Sequence, residues 1–527
     1  STLTQQLAKN MFLNNERTLT RKIKEAFLAL WLEANYSKKE ILQLYLNRAY
    51  MGAGNFGVAA AAKFYFNEDI RHISLAQAAM LAGLFKAPSK YAPHVNLKAA
   101  QARADVVLTN LVNSGYLTEG QVAAARTHPA ETVLQSNHVQ SPDYYLDWLF
   151  NDIKKLKDTL ACHDLIVKTT FDPNIQKIAE LSVEDCLKNY GKAYHVEQAA
   201  VVVLSNNGAV RAMVGGRDYG ESAFNRAVNG ARQPGSSFKP YVYAVMMERG
   251  LTPKTRIQDA PINWGGWQPH NSHNHYAGWV DLTTALTYSI NTVPVRLTYT
   301  YLHGNTKPIR DLIKNMDVDA HILAHKTMVL GTSNMSALDQ ATGYNVFAAG
   351  GIAGTRHAYT EIRNENNKIL WSWPENAKPQ HRALSPKATA YMNQMLVQVP
   401  ARGTGRRAAV PGVLIAGKTG TTQAYRDAWF VGYSGNYTTA VWMGNDNYKP
   451  TKNLYGGILP AIIFQKIMAY AHKNTSLKPL FGVSSSWKKG RNASPDSTPK
   501  ALNISLFSNA TASVLQNILQ RLQGEAE

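Results

Sequence analysis

A serine and a lysine three residues apart have the clearest catalytic chemistry in this sequence. Ser236 and Lys239 lie in residues 232–240, where Pro234 and Gly235 favour a turn into a helix. If a helix begins there, residues i and i+3 share a face, so the hydroxyl and the amine can touch. A lysine can act as the base for a serine nucleophile once burial or a neighbouring cation lowers its pKa. The pair therefore indicates acyl transfer through a serine.

The Ser-x-x-Lys spacing alone is weak, because the polar end of the chain repeats it. The repeats there are Ser485/Lys488, Ser486/Lys489 and Ser497/Lys500. Each of them is ordinarily a solvated turn or helix start. Two later motifs strengthen Ser236: Ser289-Ile290-Asn291, and then Lys418-Thr419-Gly420-Thr421. Ser-x-Asn recurs elsewhere in the chain, whereas Lys-Thr-Gly occurs once.

The elements around these motifs are predicted from hydrophobic periodicity and turn residues. Helices are expected over 21–36, 39–47, 58–64, 74–85 and 96–115, with no clear strand before residue 126. Later residues predict a strand over 165–170, a helix over 173–187, and strands over 431–433 and 437–443. Residues 199–214 read as a hairpin with an Asn207-Gly208 turn. A sheet with helices around a serine is therefore expected after the helical part.

The order Ser-x-x-Lys, Ser-x-Asn, Lys-Thr-Gly resembles that of penicillin-binding proteins and β-lactamases. The resemblance implies that Ser236 attacks a D-Ala–D-Ala stem peptide and that Lys239 takes its proton. Ser289 would relay a proton to the leaving amine, and Asn291 would hold Lys239 and the substrate amide.

The third motif is assigned to substrate binding by the same resemblance. Lys418 and Thr421 would bind the substrate carboxylate, with Thr419 and Gly420 also in contact with substrate. The backbone N–H groups of Ser236 and Thr421 would form an oxyanion hole. The resemblance implies no cofactor for this half and no metal. It implies β-lactams as covalent ligands.

Residues 1–126 carry four stretches that resemble motifs of the peptidoglycan glycosyltransferases, at 1–10, 21–25, 40–57 and 78–88. With both sets of motifs, the chain resembles a bifunctional class A penicillin-binding protein. Lipid II and peptidoglycan are then the implied substrates, and a divalent cation is implied for glycosyl transfer. The cations Lys9, Arg17 and Lys24 suit a pyrophosphate leaving group. Gln6 would bind phosphate or sugar, and Glu25 would be an electrostatic or orienting catalytic carboxylate.

The implied architecture is multidomain. An all-α, lysozyme-like glycosyltransferase part (1–126) and a Pro-containing linker (127–145) precede an α/β penicillin-binding transpeptidase domain of the β-lactamase-like kind (146–475). A Ser/Pro/Lys-rich flexible tail (476–527) is expected to follow. The alternatives are a serine β-lactamase-like hydrolase and a catalytically silent cell-wall scaffold.

Composition narrows the partners. The chain has 527 residues and a formal net charge of +20, which favours anionic partners such as a membrane surface or a pyrophosphate. No basic block with interleaved aromatics indicates a nucleic-acid partner. The resemblance allows other cell-wall proteins as partners and implies the extracytoplasmic face of a bacterial membrane.

The sequence contains no run of 18 apolar residues, so it predicts no membrane-spanning helix. The chain starts directly at Ser1-Thr2-Leu3. We therefore expect a missing upstream part that carries a membrane anchor and the first glycosyltransferase motif. That motif supplies a glutamate base, so the chain as given is expected not to polymerise glycan.

Two smaller features have ordinary alternatives. His270, His273 and His275 cluster, but no cysteine or firm carboxylate completes a metal site. An aromatic substrate-cleft loop resembling the family's Trp267-x-Pro269-x-Asn271 pattern is the better reading. The two cysteines, Cys162 and Cys186, are either a disulfide across a strand and a helix or two small buried hydrophobic residues.

Overall fold

The first part of the chain is helical, as the sequence predicts. The structure is a computed structural model that describes residues 2–12, 19–52, 55–93, 97–133, 143–160, 165–219 and 222–484. The helices of this part are α1 (Leu3–Phe12), α2 (Leu19–Asn35), α3 (Lys38–Arg48), α4 (Val58–Phe66), α5 (Leu75–Leu84), α6 (Pro88–Tyr91), α7 (Leu97–Asn113) and α8 (Glu119–Thr127). Ser37, Ser74 and Thr118 each begin a helix by exchanging hydrogen bonds with a glutamate or glutamine three residues later.

Apolar side chains divide this part into a core and an exposed face. Tyr65, Leu84 and Leu108 belong to one buried cluster that joins α4, α5 and α7. The outer face of α2 instead exposes large apolar side chains. They are Phe27 at 70%, Leu30 at 66% and Trp31 at 51% exposure.

The second part combines helices and strands. Its helices are α9 (Asp143–Leu160), α10 (Pro173–Tyr194), α11 (Lys239–Glu248), α12 (Leu282–Thr287), α13 (Thr292–Tyr301), α14 (Lys307–Asn315), α15 (Ala337–Ala348), α16 (Pro386–Leu396), α17 (Gln398–Arg402) and α18 (Leu459–Ala471). Its strands are β1 (Leu165–Thr169), β2 (Gln198–Ser205), β3 (Val210–Val214), β4 (Arg256–Asp259), β5 (Gly278–Asp281), β6 (Ile352–Ala353), β7 (Tyr359–Asn364), β8 (Ile369–Ser372), β9 (His381–Arg382), β10 (Ala416–Thr421), β11 (Asp427–Tyr433) and β12 (Tyr437–Gly444).

A five-stranded antiparallel sheet organises this part, in the order β10-β11-β12-β2-β3. Its strands are buried on both faces, with α10 and α18 packed on one side and α15 on the other. Apolar β-branched and aromatic residues dominate these strands, which suits a sheet that no water reaches. The strand β10 lies at the edge, so one side of it is left for other partners.

Smaller sheets complete the domain. The hairpin β7-β8 pairs with β1 in a three-stranded sheet, β4 pairs with β5, and β6 pairs with β9. The predicted hairpin with an Asn207-Gly208 turn is present as β2-β3, and Gly208 has the positive φ of +85° that such a turn needs.

Helix α10 is longer than the sequence predicts. It runs on from Leu187 to Tyr194 and ends at His195 in the left-handed conformation. Gly191 lies inside this helix. A Cβ there would lie only 2.8 Å from Val196 O, so the close approach of the chain at this point needs a glycine.

The connection between the two parts is also more ordered than predicted at its end. Helix α9 already begins at Asp143, so residues 143–145 of the predicted linker are helical. Tyr145 is buried and donates a hydrogen bond of 2.7 Å to Ala358 O. The described chain stays in one unit up to Gly482. The domain boundaries themselves stay predictions.

Candidate active site

Ser236 lies on a single 3-10 turn, Gly235–Phe238, and Lys239 is the first residue of α11. In this tighter turn, residues three apart eclipse, which places the serine and the lysine on the same side. Gly235 has a φ of +53°, and a Cβ on it would lie 2.6 Å from Thr421 O. The glycine therefore lets the turn lie directly against β10.

Of the two adjacent serines, Ser237 is the structural one. Its hydroxyl is fully buried, donates to Pro234 O at 2.8 Å and accepts from Gln340 Nε2 at 3.0 Å. Its carbonyl accepts a 2.6 Å hydrogen bond from the Tyr344 hydroxyl. The Ser236 hydroxyl is half-buried and makes no hydrogen bond to any other described residue. Helix α15 thus fixes the turn through Ser237 and leaves Ser236 available.

Lys239 is fully buried and its amine is surrounded by oxygens. Nζ donates to Ser289 O at 2.6 Å, Asn291 Oδ1 at 2.7 Å, Ile290 O at 3.2 Å and Ser289 Oγ at 3.2 Å. Three of these oxygens can accept but not donate, which matches the three N–H groups of an ammonium. Burial, and to a smaller extent the charge of Lys418, oppose the ammonium form and hold the pKa of Lys239 well below its usual value. Burial thus disfavours the ammonium form, while the surrounding oxygens stabilise it once a proton arrives.

The residues Ser289–Asn291 form the short turn between α12 and α13. Ser289 has a φ of +62°, a strained conformation for a residue with a side chain. The turn is held by backbone hydrogen bonds from Ser289 N to Leu286 O and from Ile290 N to Ala285 O. In this strained conformation the turn places two carbonyls, a hydroxyl and an amide oxygen in contact with Lys239.

A buried carboxylate behind this turn is a feature that the sequence analysis missed. Asp259 is 2% exposed, and it accepts hydrogen bonds from Asn271 Nδ2 (2.7 Å), Thr292 Oγ1 (2.5 Å) and Ala277 N (2.7 Å). Asn271 Oδ1 in turn accepts from Asn291 N at 2.8 Å and from Thr292 N at 3.3 Å. The Trp-x-Pro-x-Asn pattern contained Asn271, but no signal pointed to Asp259.

The third motif forms the edge strand β10. Lys418 is fully buried, and burial lowers the pKa of its ammonium to about 7. A Cβ on Gly420 would lie 2.3 Å from Pro234 O, so the glycine allows the strand to touch the serine turn. The Thr421 hydroxyl accepts a 3.2 Å hydrogen bond from Gly456 N, while the Thr419 hydroxyl pairs with Thr404 Oγ1 at 2.7 Å. All three transpeptidase motifs therefore converge on one site.

The candidate residues of the helical part lie apart from that site. Glu25 is 2% exposed and forms 2.6 Å ion pairs with Arg21 and Lys22, two cations that the sequence analysis did not single out. Burial raises the pKa of the Glu25 carboxyl, but the hydrogen bonds and charges of Lys22 and Arg21 outweigh it, so that pKa lies below its usual value.

The other candidates there are more open. Gln6 Oε1 accepts a 3.3 Å hydrogen bond from the Tyr45 hydroxyl. Lys9 is half-buried and Lys24 is exposed. Arg17 lies outside the described residues. The roles of all these residues stay predictions.

The described histidines and cysteines form no metal site. His270 Nδ1 hydrogen-bonds the Tyr276 hydroxyl at 3.2 Å, and the side chain of His273 lies outside the described part. Within the described ranges, no three His, Cys, Asp or Glu residues group as metal ligands. Burial raises the pKa of the Cys186 thiol to about 11, and Cys162 lies outside the described residues, so the disulfide stays a prediction. None of the described helices is long and apolar enough to cross a membrane.

Comparison with known families matches both parts of the chain. A transglycosylase family model matches residues 1–112, and the model of the penicillin-binding-protein transpeptidase domain matches residues 198–469. Penicillin-binding protein 1A of Neisseria flavescens is 32% identical over 91% of this chain and 74% of its own length. The Aquifex aeolicus protein of the same name is 33% identical over 85% of this chain and 72% of its own.

A solved structure agrees in fold. The crystal structure of penicillin-binding protein 1A from Haemophilus influenzae superposes with a TM-score of 0.57, covers 91% of this chain and 88% of its own, and is 22% identical. Together with the transglycosylase match, these relatives confirm the predicted fold class and disfavour the β-lactamase-like and scaffold alternatives. The chain therefore belongs to the class A penicillin-binding proteins, the bifunctional synthases that act on lipid II and peptidoglycan, bind β-lactams, and cross-link by a serine transpeptidase chemistry that needs no cofactor.

Proposed function

We propose that Ser236 is the acylated nucleophile of the transpeptidase and that Lys239 is its base. The observation that carries this proposal is the pairing of an available serine with a buried lysine whose pKa burial and Lys418 lower. Ser236 Oγ attacks the carbonyl carbon of the penultimate D-alanine, and its proton passes to Lys239 Nζ. The ammonium that forms is stabilised by the oxygens of Ser289, Ile290 and Asn291 already in contact with it.

The leaving group and the substrate are handled by the other two motifs. The Ser289 hydroxyl, 3.2 Å from Lys239 Nζ, passes the proton to the amine of the terminal D-alanine as its C–N bond breaks. An amine from a neighbouring stem peptide then attacks the ester carbon, the C–O bond to Ser236 breaks, and the proton lost by the amine returns to Ser236 Oγ. The result is a new peptide bond between two strands.

Substrate binding uses the free edge of the sheet. A stem peptide can add to the edge strand β10 by backbone hydrogen bonds at Thr419 and Gly420. Lys418 and the Thr421 hydroxyl then hold its terminal carboxylate. The N–H groups of Ser236 and Thr421 stabilise the oxyanion, a role supported by the close approach of Gly235 to Thr421 O.

For the helical part, we propose that a basic groove binds the pyrophosphate of lipid II. Gln6, Lys9, Arg17 and Lys24 would contact the phosphate or sugar oxygens, with Glu25 as an orienting carboxylate. The Arg21 and Lys22 ion pairs support a fixed, ionised Glu25. The resemblance implies a divalent cation for glycosyl transfer, and within the described ranges no three acidic, His or Cys residues group as its ligands.

We further propose that the protein acts at the extracytoplasmic face of an anionic membrane. The exposed Phe27, Leu30 and Trp31 on α2 and the net charge of +20 support contact with such a surface. Contacts with other cell-wall proteins stay a prediction. The proposed division of the chain remains 1–126, 127–145, 146–475 and 476–527, with the family matches lying inside the first and third ranges.

The test of the nucleophile is covalent labelling by penicillin. Intact-protein mass spectrometry should find one adduct on the wild type and none on Ser236→Ala. Ser485→Ala is the matched control, because Ser485 also precedes a lysine by three residues, and it should keep the adduct. An adduct that persists on Ser236→Ala would refute the assignment. Rapid loss of the adduct from the wild type would instead indicate β-lactam hydrolysis.

A further inference from the structure

A second cavity lies in the transpeptidase domain, outside the site formed by the three motifs. It holds about 360 Å³, within the range of small-ligand sites. Its walls come from α9, α15, the loop after α14 and the segments around β7 and β8. None of the predicted transpeptidase residues lines it.

The cavity combines aromatic faces with unused hydrogen-bonding groups. Tyr359, Trp371 and Trp373 line it, and Trp371 and Trp373 are two residues apart, so they project from the same side of their segment. Neither indole N–H has a hydrogen-bond partner among the described residues. Two donors beside flat aromatic surfaces are therefore available to a ligand.

Acceptors lie beside these donors. Asp317 Oδ2 is buried without a hydrogen bond, 3.9 Å from His381 Nδ1, while the other oxygen of the same carboxylate pairs with Lys378. His357 stacks on Trp373 with ring centroids 4.0 Å apart, and its Nδ1 hydrogen-bonds Thr355 O at 2.7 Å. A carbonyl only accepts, so Nδ1 carries the hydrogen and Nε2 has the lone pair when the ring is neutral. Burial lowers the pKa of His357 and favours that neutral form.

Two of the three carboxylates that line the cavity are matched by cations, and the third, Asp152, accepts a 3.5 Å hydrogen bond from the Tyr359 hydroxyl. Asp317 pairs with Lys378, and Asp319 pairs with Arg356 at 2.9 Å. A charged ligand would have to break these pairs, whereas an uncharged ligand would not. The remaining donors and acceptors suit a group that offers both hydroxyl or amide N–H and carbonyl oxygen.

From these features, we propose that the cavity binds an uncharged N-acetylated pyranose ring, as occurs in a glycan strand. The apolar C–H face of the sugar would lie on the Trp371 or Trp373 ring. Its acetamido carbonyl would accept from an indole N–H, and its N–H or a hydroxyl would donate to Asp317 Oδ2. This would be a saccharide site distinct from the peptide cleft.

One helix separates the cavity from the nucleophile. Thr342 and Asn345 of α15 line the cavity, while Gln340 and Tyr344 of the same helix hold Ser237. Acylating Ser236 therefore leaves the proposed saccharide groups in place. Saccharide binding by the penicillin-acylated protein should match that of the free protein.

The experiment titrates the 527-residue chain, acylated with penicillin, with chitotetraose, an uncharged N-acetylglucosamine oligomer, by calorimetry. Asp317→Asn and Trp371→Ala are the test variants. Asn tolerates the left-handed φ of +56° at position 317 and keeps the size of the side chain. Trp279→Ala, at a tryptophan 60% exposed and outside the cavity, is the matched control.

We expect chitotetraose to bind, Asp317→Asn to weaken binding at least about tenfold, as for loss of a hydrogen bond to a charged group, and Trp279→Ala to leave it unchanged. Fluorescent-penicillin labelling before the titration verifies that each variant is folded. Equal affinity in folded Asp317→Asn and Trp371→Ala would overturn the proposal, because the sugar would then bind elsewhere. Tighter binding of a sugar-free stem pentapeptide, with the same sensitivity to both variants, would also overturn it.

Discussion

Replacing Lys418 with methionine should make the protein more stable while impairing acyl transfer. Lys418 is fully buried in β10, and burial lowers the pKa of its ammonium from 10.5 to about 7. That difference corresponds to about 5 kcal/mol of folding free energy lost at pH 7 and below. Methionine has a similar length and carries no charge to bury.

The replacement also removes two long hydrogen bonds. Lys418 Nζ donates to Thr419 O at 3.3 Å and to Thr419 Oγ1 at 3.4 Å, and each such bond contributes about 1 kcal/mol. The expected net gain in the free energy of unfolding is therefore about 3 kcal/mol at pH 7.

The pH dependence distinguishes this cause from better packing. The unfolded chain holds the Lys418 proton up to about pH 10.5, and the folded chain holds it up to about pH 7. Between these values the unfolded state binds more protons, so the wild type gains stability as pH rises. The advantage of Lys418→Met should thus be largest at pH 7 and shrink towards pH 10.5.

Thermal unfolding of the full chain, followed by tryptophan fluorescence, measures this effect. Trp429 and Trp442 are buried in the sheet that carries Lys418, so their signal reports on the right domain. Lys473→Met, at an exposed lysine, is the control and should show no pH-dependent advantage. A Lys418→Met midpoint at or below the wild-type value at pH 7, or an advantage independent of pH, would refute the reasoning.

Three further changes test the geometry of the site through the rate of acylation by a fluorescent penicillin. Asp259→Asn should slow acylation about 100-fold by displacing the Ser289 turn, while the number of reactive serines per chain stays the same; an unchanged rate would show that Asp259 positions nothing. The rise of the wild-type rate with pH should shift to higher pH in Lys418→Met, because the cation that lowers the pKa of Lys239 is gone; a rise at unchanged pH would contradict that coupling. Gly235→Ala should slow acylation strongly, because its Cβ would meet Thr421 O, whereas Gly412→Ala, with a similar positive φ but open space around it, should leave the rate unchanged; equal rates in both would mean that the contact with β10 is unimportant.

Local patterns in the sequence predicted the elements well. The apolar periodicity and serine caps located helices such as α3 and α5, and Asn207-Gly208 located the β2-β3 turn. The predicted end of α10, at Leu187, was several residues too early, because the helix continues to Tyr194. The helix then ends in a left-handed cap at His195, where Val196 N donates to Gly191 O at 2.9 Å, and a residue other than glycine or asparagine gave no signal for that cap in the sequence.

The motif residues were found from their types and order, but their electrostatics were not. The contact of Lys239 with the carbonyls of Ser289 and Ile290 depends on a strained turn some fifty residues away in the chain. The carboxylate of Asp259 belongs to a strand with no motif of its own. Such partners are set by how α12, α13 and β4 pack, which spacing along the chain does not encode.

The site combines several arrangements that each oppose folding, and the surrounding structure explains why they persist. Two lysines are buried within reach of each other's charge, and Ser289 is in the left-handed region. Both turns of the site are supported from behind: Asp259 holds the Ser289 turn, and α15, which also covers one face of the sheet, holds the serine turn through Ser237. Because burying Lys418 as a cation costs stability while the site uses its charge, replacing Lys418 should raise stability and slow acyl transfer together.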